Sequence, residues 1–146
     1  MDERQARDLI SVIQKMVETR DDLRALAVCG SWARGNPRPD SDLDLLVIAR
    51  DAAECRDNQS FVERLPYQQA QLTYRSHSTK TYGVVWSAHI HLEPDAELEL
   101  TFASTDWASV DPVDPGTRKV VSDAFRIVLD KDGRLARLAE VCGGSL

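Results

Sequence analysis

Apolar residues recur every three or four positions near the start of the chain, as they do along one face of an α-helix. The recurring residues are Ala6, Leu9, Ile10, Ile13, Met16 and Val17. This spacing gathers them into one stripe, and a stripe of this kind packs against a hydrophobic core. We therefore predict a helix over residues 3–19 with its apolar face buried.

Two short apolar runs follow this helix. The first is Leu26 to Cys29, which ends at Gly30, and the second is Leu43 to Ile48, which is preceded by Ser41 and Asp42. Short apolar runs bounded by turn-forming residues are typical of buried β-strands. We predict two strands here, the second of them substantially buried.

Between Tyr82 and Phe102 apolar and polar residues alternate, with a Pro-Asp pair near the middle of the stretch. The apolar positions of the first half are Val84, Trp86, Ala88, Ile90 and Leu92. This pattern predicts a β-hairpin with one apolar face. The register that pairs the apolar faces also places His89, His91, Glu97 and Glu99 together on the opposite face.

The remaining elements are less regular. Residues 51–60 are polar and turn-rich, and a modest helix is predicted from about Phe61 to near Pro66. A strand at Phe125 to Leu129 and a helix near Arg134 to Val141 complete the prediction. Since 146 residues fit one hydrophobic core and are too few for two comfortable ones, we expect a single domain, residues 1–146.

The charge balance limits the partners of the chain. A formal net charge of -6 disfavours broad contact with a nucleic-acid backbone, which depends on Lys and Arg. A small cationic substrate, a nucleotide held through metal, or a protein partner fits better. The first ten residues lack the apolar core of a signal peptide, and no run is long enough to span a membrane. We predict a cytoplasmic protein without membrane contact, whose three cysteines are reduced thiols.

Gly30 and Ser31 follow the first strand and begin a helical segment. A turn of this kind directs backbone N–H groups and a hydroxyl toward one point, where a phosphate can bind. Gly30 also allows close approach of a phosphate to the backbone. The alternative is that these residues are ordinary turn formers.

Asp42 and Asp44 lie two residues apart on the second strand, so their side chains leave the same face. Two such carboxylates can converge on Mg²⁺ and leave coordination positions open for a triphosphate. The alternative is a turn cap at Asp42 and a solvated carboxylate at Asp44. The apolar neighbours weigh against it, because burying unpaired carboxylates in such a strand costs several kcal/mol.

These residues carry a resemblance. The sequence resembles, in order and spacing, the GSxARG and SDxDL motif of the nucleotidyltransferase superfamily related to DNA polymerase beta. The matching residues are Gly30, Ser31, Ala33, Arg34, Gly35, Ser41, Asp42, Asp44 and Leu45. The resemblance implies the nucleotidyltransferase fold, a mixed sheet backed by helices in the α/β (α+β) class. It also implies transfer of a nucleoside monophosphate, with ATP the expected donor, to an acceptor hydroxyl with release of pyrophosphate.

The resemblance also implies a set of site residues. Asp42 and Asp44 would hold two Mg²⁺ ions, and a third carboxylate on a later strand would complete the metal site. We assign this role to Glu99, which would also accept the proton of the acceptor hydroxyl, with Glu97 as the alternative. Gly30 and Ser31 would hold the phosphates. Arg34 would contact the nucleotide, or it would pair with an acidic neighbour.

Several hypotheses about the histidines and the acceptor stay open at this point. His89 and His91 with the two glutamates could form a zinc site, line the acceptor side, or simply be exposed. The expected acceptor is an aminoglycoside-like small molecule, whose pocket a homodimer partner could complete. The chain also resembles in size the minimal nucleotidyltransferases that act as antitoxins and nucleotidylate a HEPN-type toxin encoded beside them. A nucleotide-binding module without catalysis is a third alternative.

Overall fold

The computed structural model describes residues 1–38, 40–83, 85–110 and 112–143. Its helices are α1 (Glu3–Thr19), α2 (Gly30–Arg34), α3 (Ala52–Asp57), α4 (Phe61–Arg64), α5 (Pro115–Asp123) and α6 (Arg134–Val141). Its strands are β1 (Leu23–Cys29), β2 (Leu43–Ala49), β3 (Thr73–Tyr82), β4 (Val85–Glu93), β5 (Ala96–Ser104) and β6 (Phe125–Asp130). Two 3₁₀ turns, Tyr67–Ala70 and Thr105–Ala108, lie between these elements. None of the described helices has the length and apolar character needed to cross a membrane.

The strands form one sheet in the order β3-β4-β5-β2-β1-β6. Strands β2 and β5 pair in parallel, whereas every other neighbouring pair is antiparallel. The sheet is therefore mixed, and with the six helices it confirms the predicted α+β class.

Helix α1 begins and packs as its sequence predicts. The Asp2 carboxylate accepts a hydrogen bond from the backbone N–H of Gln5, and the Gln5 side chain accepts one from the N–H of Asp2. This capping box satisfies two N–H groups that the helix leaves without a partner. The buried stripe of the helix includes Leu9 and Ile13, while Ile10 is only partly buried.

The two faces of the sheet pack against different helices. On one face, apolar residues of β2 such as Leu45 and Val47 join a core with α1, α3 and α4. On the other face, Leu46 and Ile48 pack against residues of α5 and α6. Because side chains alternate along a strand, Asp44 shares this second face with Leu46 and Ile48. The Asp44 end of the second face is the location of the candidate site.

The predicted hairpin is confirmed as β4 and β5, joined by a two-residue turn at Pro94 and Asp95. Trp86 lies opposite Phe102, and their rings stack with centroids 4.6 Å apart. Val84, assigned to the apolar face from the sequence, lies outside the described residues. The C-terminal strand and helix are also confirmed, as β6 and α6.

The structure differs from the sequence prediction in the segment between β2 and the hairpin. The segment expected to be turn-rich contains helix α3, whose N-terminus is capped by Asp51 through the N–H groups of Ala53 and Glu54. Helix α4 starts at the predicted Phe61 and lasts four residues. Strand β3, which was not predicted, is an edge strand with mostly exposed side chains on both faces. It therefore has no apolar alternation by which to recognise it.

Candidate active site

Strand pairing brings the predicted carboxylates and histidines onto one patch of the second face. In the parallel pairing of β2 with β5, Asp44 lies opposite Glu99 and Leu43 lies opposite Leu98. Asp42, one residue before β2, therefore lies beside Glu97. The next strand adds a row of imidazoles: His89 lies opposite Glu99 and His91 lies opposite Glu97. We call the six residues Asp42, Asp44, Glu97, Glu99, His89 and His91 the acidic patch.

The contacts within the acidic patch converge on His89. Its Nε2 lies 3.6 Å from Oδ2 of Asp42 and 3.5 Å from Oε2 of Glu97. The ligand atoms of these three residues all lie within 4.8 Å of one another. The other oxygen of Glu97, Oε1, lies 2.9 Å from Nδ1 of His91. Glu97 therefore contacts His91 through one oxygen and lies near His89 with the other.

Burial and mutual repulsion perturb the carboxyl groups. Burial raises the pKa of Asp44 to about 7, and the neighbouring charges of Glu99 and Asp42 add to the shift. Burial also raises the pKa of Asp42, as does its hydrogen bond with Glu97, and the same hydrogen bond lowers the pKa of Glu97. The raised pKa values of Asp42 and Asp44 show that burial and neighbouring carboxylates disfavour their charged forms, which a bound cation would stabilise.

The acidic patch fits a divalent metal ion. Its carboxylate oxygens are the hard ligands that Mg²⁺ takes in proteins. In addition, Nε2 of His89 is shielded from solvent and has no hydrogen-bond partner among the described residues. Such an atom is expected to have a partner, and a cation held with Asp42 and Glu97 would supply one.

The Gly-Ser turn lies directly against the acidic patch. Gly30 begins α2 with a φ of +71°, and a Cβ at this position would collide with Oδ2 of Asp44. Ser31 is half-buried, and its hydroxyl makes no hydrogen bond within the described part of the chain.

Burial raises the pKa of Cys29 to about 12, so its thiol is neutral and is not a candidate nucleophile.

The comparison with protein families gives a match to the nucleotidyltransferase domain over residues 10–87. This chain is a member of that family. The matched segment includes Gly30, Ser31, Asp42 and Asp44, and it ends before Glu97 and Glu99.

Two solved structures resemble this nucleotidyltransferase domain. One is an aminoglycoside 6-adenyltransferase from Bacillus subtilis, with 12% identity, a TM-score of 0.52, and coverage of 74% of this chain and 37% of that protein. The other is the apo form of a CCA-adding enzyme, with 12% identity, a TM-score of 0.45, and coverage of 95% and 32%. The chain thus spans about a third of the length of each. The first likeness shows a shared fold. A comparison with curated proteins gave no match.

The nucleotidyltransferase domain carries exposed basic residues on α2 and α5. Arg34, at the end of α2, donates to Oδ2 of Asp123 on α5 at 3.2 Å, and both side chains are well exposed. This is the acidic neighbour that the sequence left open. Arg118 and Lys119, on α5, are exposed as well.

Among the cavities on the surface of the described residues, two differ in size and lining. The larger, about 1000 Å³, lies between α1 and the segment after α2, and none of its lining residues belongs to the acidic patch. The smaller, about 440 Å³, includes Asp42, His91 and Glu97 in its lining. The smaller cavity is the candidate active site, because three residues of the acidic patch line it.

The smaller cavity includes acidic residues that the sequence analysis did not assign to the site. Asp40, Glu93 and Asp95 line it together with Asp42 and Glu97. Among the described residues of the lining, Arg75 is the one basic side chain other than histidine. The sequence contained only a weak indication of this role: Glu93 and Asp95 flank the proline of the predicted hairpin turn. Acidic residues in turns are common, so only the fold shows that they line one cavity with Asp42.

Proposed function

We propose that the protein, acting as a single domain, transfers AMP from ATP to a hydroxyl of a small acceptor, releases pyrophosphate and requires Mg²⁺. One observation carries the proposal: carboxylates on two adjacent parallel strands meet beside a Gly-Ser turn in a chain of the nucleotidyltransferase family. That arrangement supports an acidic metal site and a phosphate site within reach of each other.

The proposed metal ligands are Asp42, Asp44 and Glu99, for two Mg²⁺ ions. The raised pKa of Asp44 supports the assignment, because the carboxylate becomes fully charged at neutral pH only when a cation compensates its neighbours. Bound Mg²⁺ would neutralise the triphosphate and lower the pKa of the acceptor hydroxyl. Glu99 accepts the proton from that hydroxyl, and Asp42 and Asp44 fix the position of the reacting groups.

The proposed phosphate site consists of Gly30, Ser31 and Arg34. The Ser31 hydroxyl is free to donate to a phosphate oxygen, and Gly30 leaves the room that the Asp44 carboxylate requires. Arg34 exchanges its contact with Asp123 for the triphosphate. Such an exchange is easy, because an exposed ion pair contributes only about 0–1 kcal/mol to stability. The acceptor oxygen then bonds to the α-phosphorus, and the bond from that phosphorus to the oxygen bridging the β-phosphate breaks.

The acceptor that fits best is a small, cationic, hydroxyl-rich molecule of the aminoglycoside type. The cavity beside Glu97 has Asp40, Glu93 and Asp95 in its lining against a single arginine. Five carboxylates in all line the cavity and attract amino groups, and its volume of about 440 Å³ is within the range of small-molecule sites. The net charge of -6 acts in the same direction over longer distances.

A transfer assay tests the proposal. The protein, Mg²⁺ and ATP labelled at the α-phosphate are incubated with an aminoglycoside, a neutral sugar of similar size, or proteins encoded beside this chain. We expect label on the aminoglycoside and pyrophosphate release, both lost in Asp42→Asn. Glu93→Gln with Asp95→Asn should raise the KM for the acceptor and leave the KM for ATP unchanged. Label only on a protein would overturn the acceptor class, and no transfer to any acceptor would overturn the proposal.

A further inference from the structure

We propose that Asp42, His89 and Glu97 bind a divalent transition-metal ion of the Zn²⁺ and Co²⁺ class through one nitrogen and two oxygens. The inference deepens the proposed function, on whose site it rests. It assigns His89 and Glu97 to an ion that prefers nitrogen ligands, and it leaves Asp44 and Glu99 in the roles given above. Asp42 contributes to both positions.

The separations of the ligand atoms favour this class of ion. Nε2 of His89 lies 3.6 Å from Oδ2 of Asp42 and 3.5 Å from Oε2 of Glu97. Nitrogen and oxygen ligands at about 2.0–2.2 Å from a tetrahedral ion lie about 3.3–3.6 Å apart. Neighbouring ligands of octahedral Mg²⁺, at about 2.0–2.1 Å, lie only about 2.8–3.0 Å apart. The two distances from His89 therefore match those between ligands of a tetrahedral ion and exceed those between neighbouring ligands of octahedral Mg²⁺.

The chemistry of His89 points to the same class. Its Nε2 is shielded from solvent and has no hydrogen-bond partner within the described residues, although the ring as a whole is 41% exposed. The nitrogen faces two carboxylate oxygens at distances too long for good hydrogen bonds. Imidazole is a common ligand of zinc, cobalt and copper, whereas Mg²⁺ takes oxygen.

The surroundings hold the three ligands in place. Nδ1 of His91 lies 2.9 Å from Oε1 of Glu97, which leaves Oε2 directed toward His89. His89 and Glu97 lie on paired strands, so the backbone is fixed on both sides. A ligand that a neighbouring side chain holds in this way, as His91 holds Glu97, binds metal more tightly. Three protein ligands leave a fourth position for water or a substrate oxygen, as in catalytic zinc sites.

Cobalt spectroscopy tests the inference without any nucleotide. The full chain, freed of metal with a chelator, is titrated with Co²⁺, and the visible absorption is recorded. We expect the intense bands of a tetrahedral or five-coordinate ion, displaced by Zn²⁺ in calorimetric competition. Affinity for Co²⁺ should fall at least about tenfold in His89→Gln and in Glu97→Gln. His77→Gln is the matched control, because His77 lies on β3 and contacts Tyr74 and Gln59. That variant should bind Co²⁺ as the wild type does.

The outcomes separate this inference from the proposed function. Unchanged Co²⁺ binding in His89→Gln, the weak bands of a six-coordinate ion, or charge-transfer bands from a cysteine thiolate would each overturn the inference. None of these results bears on Mg²⁺-dependent transfer of AMP, which is measured separately. Conversely, Co²⁺ bound through His89 in a protein that transfers no AMP would contradict the proposed function alone.

Discussion

At the scale of single residues, Gly30 and Asp44 constrain each other. Gly30 adopts a left-handed φ of +71°, and the space where its Cβ would lie is occupied by the Asp44 carboxylate. A side chain here would be strained and would also displace a proposed metal ligand. The glycine is thus required for two separate reasons, and a substitution can distinguish them.

Gly30→Ala should abolish AMP transfer and destabilise the fold by more than Gly35→Ala does. Gly35 has a similar φ of +77° but nothing within 4 Å of its Cβ position, so its alanine variant isolates the cost of the backbone conformation. That cost is about 1–2 kcal/mol. Urea unfolding and the transfer rate measure the two effects. Equal stability and equal activity of the two variants would contradict the contact between Gly30 and Asp44.

Asp44 should make the metal-free protein less stable as the pH rises. Its pKa in the folded state is about 7, above the value of about 3.9 expected in an unfolded chain. The folded state therefore binds the proton more tightly, and the stabilisation from that proton is complete below pH about 4 and disappears as the pH passes about 7. Thermal unfolding with a chelator present should show a steeper fall in Tm over this window for the wild type than for Asp44→Asn. Parallel curves for the two proteins would show that Asp44 is not perturbed.

At the scale of secondary-structure elements, the parallel pairing of β2 with β5 builds the acidic patch. Helix α1, strands β1 and β2, and the hairpin follow from local apolar spacing, so the sequence predicts them. The alternation of Glu97 and Glu99 with leucines likewise places both on one face. The register that sets Asp44 opposite Glu99 joins segments more than fifty residues apart, and no local pattern reports it. The motif resemblance, and not periodicity, suggested that this pairing exists.

The elements that the sequence did not predict are those with little apolar periodicity. Strand β3 is exposed on both faces, so its Thr, Ser and Tyr residues give no alternation. Helix α3 has six residues, of which Ala52 and Cys55 are buried, too few for a helical stripe. Its cap, Asp51, was a usable signal, since an aspartate before a short segment with Glu at the third position is typical of a helix start.

The pairing of β2 with β5 leads to a test of the third carboxylate. Glu99→Gln should abolish transfer, because Glu99 lies opposite Asp44 and is the proposed proton acceptor. Glu97→Gln should lower Co²⁺ affinity and reduce AMP transfer only partly. The transfer rate with saturating ATP and Mg²⁺ distinguishes them. Full activity in Glu99→Gln together with none in Glu97→Gln would exchange the two roles.

The contact between α2 and α5 can be tested in the same way. Arg34→Ala should raise the KM for ATP, because Arg34 is proposed to hold the triphosphate. Asp123→Asn should leave that KM unchanged or lower it, because it frees Arg34 from its partner. Both substitutions remove the same exposed ion pair and should change the free energy of unfolding by at most about 1 kcal/mol. Equal effects of the two variants on KM would assign Arg34 a structural role only.

At the scale of the whole molecule, the helices divide the sheet into a structural face and a functional one. Residues of α1, α3 and α4 pack against one face of the sheet and form the main hydrophobic core with it. On the other face, residues of α5 and α6 pack in a second apolar cluster with Leu46 and Ile48. Asp44 and its neighbours lie at the polar end of that face. The acidic cavity opens beside this end. One face of the sheet therefore packs against helices, and the other ends in carboxylates that the proposed cations would compensate.

The most direct test of the central claim is transfer of label from α-labelled ATP by the wild type and by Asp44→Asn, in Mg²⁺ with a cationic aminoglycoside. We expect labelled acceptor and stoichiometric pyrophosphate from the wild type. We expect loss of both in Asp44→Asn, which should remain folded and, without metal at neutral pH, be at least as stable as the wild type. Equal transfer by the two proteins, or no transfer by either to any acceptor tested, would contradict it.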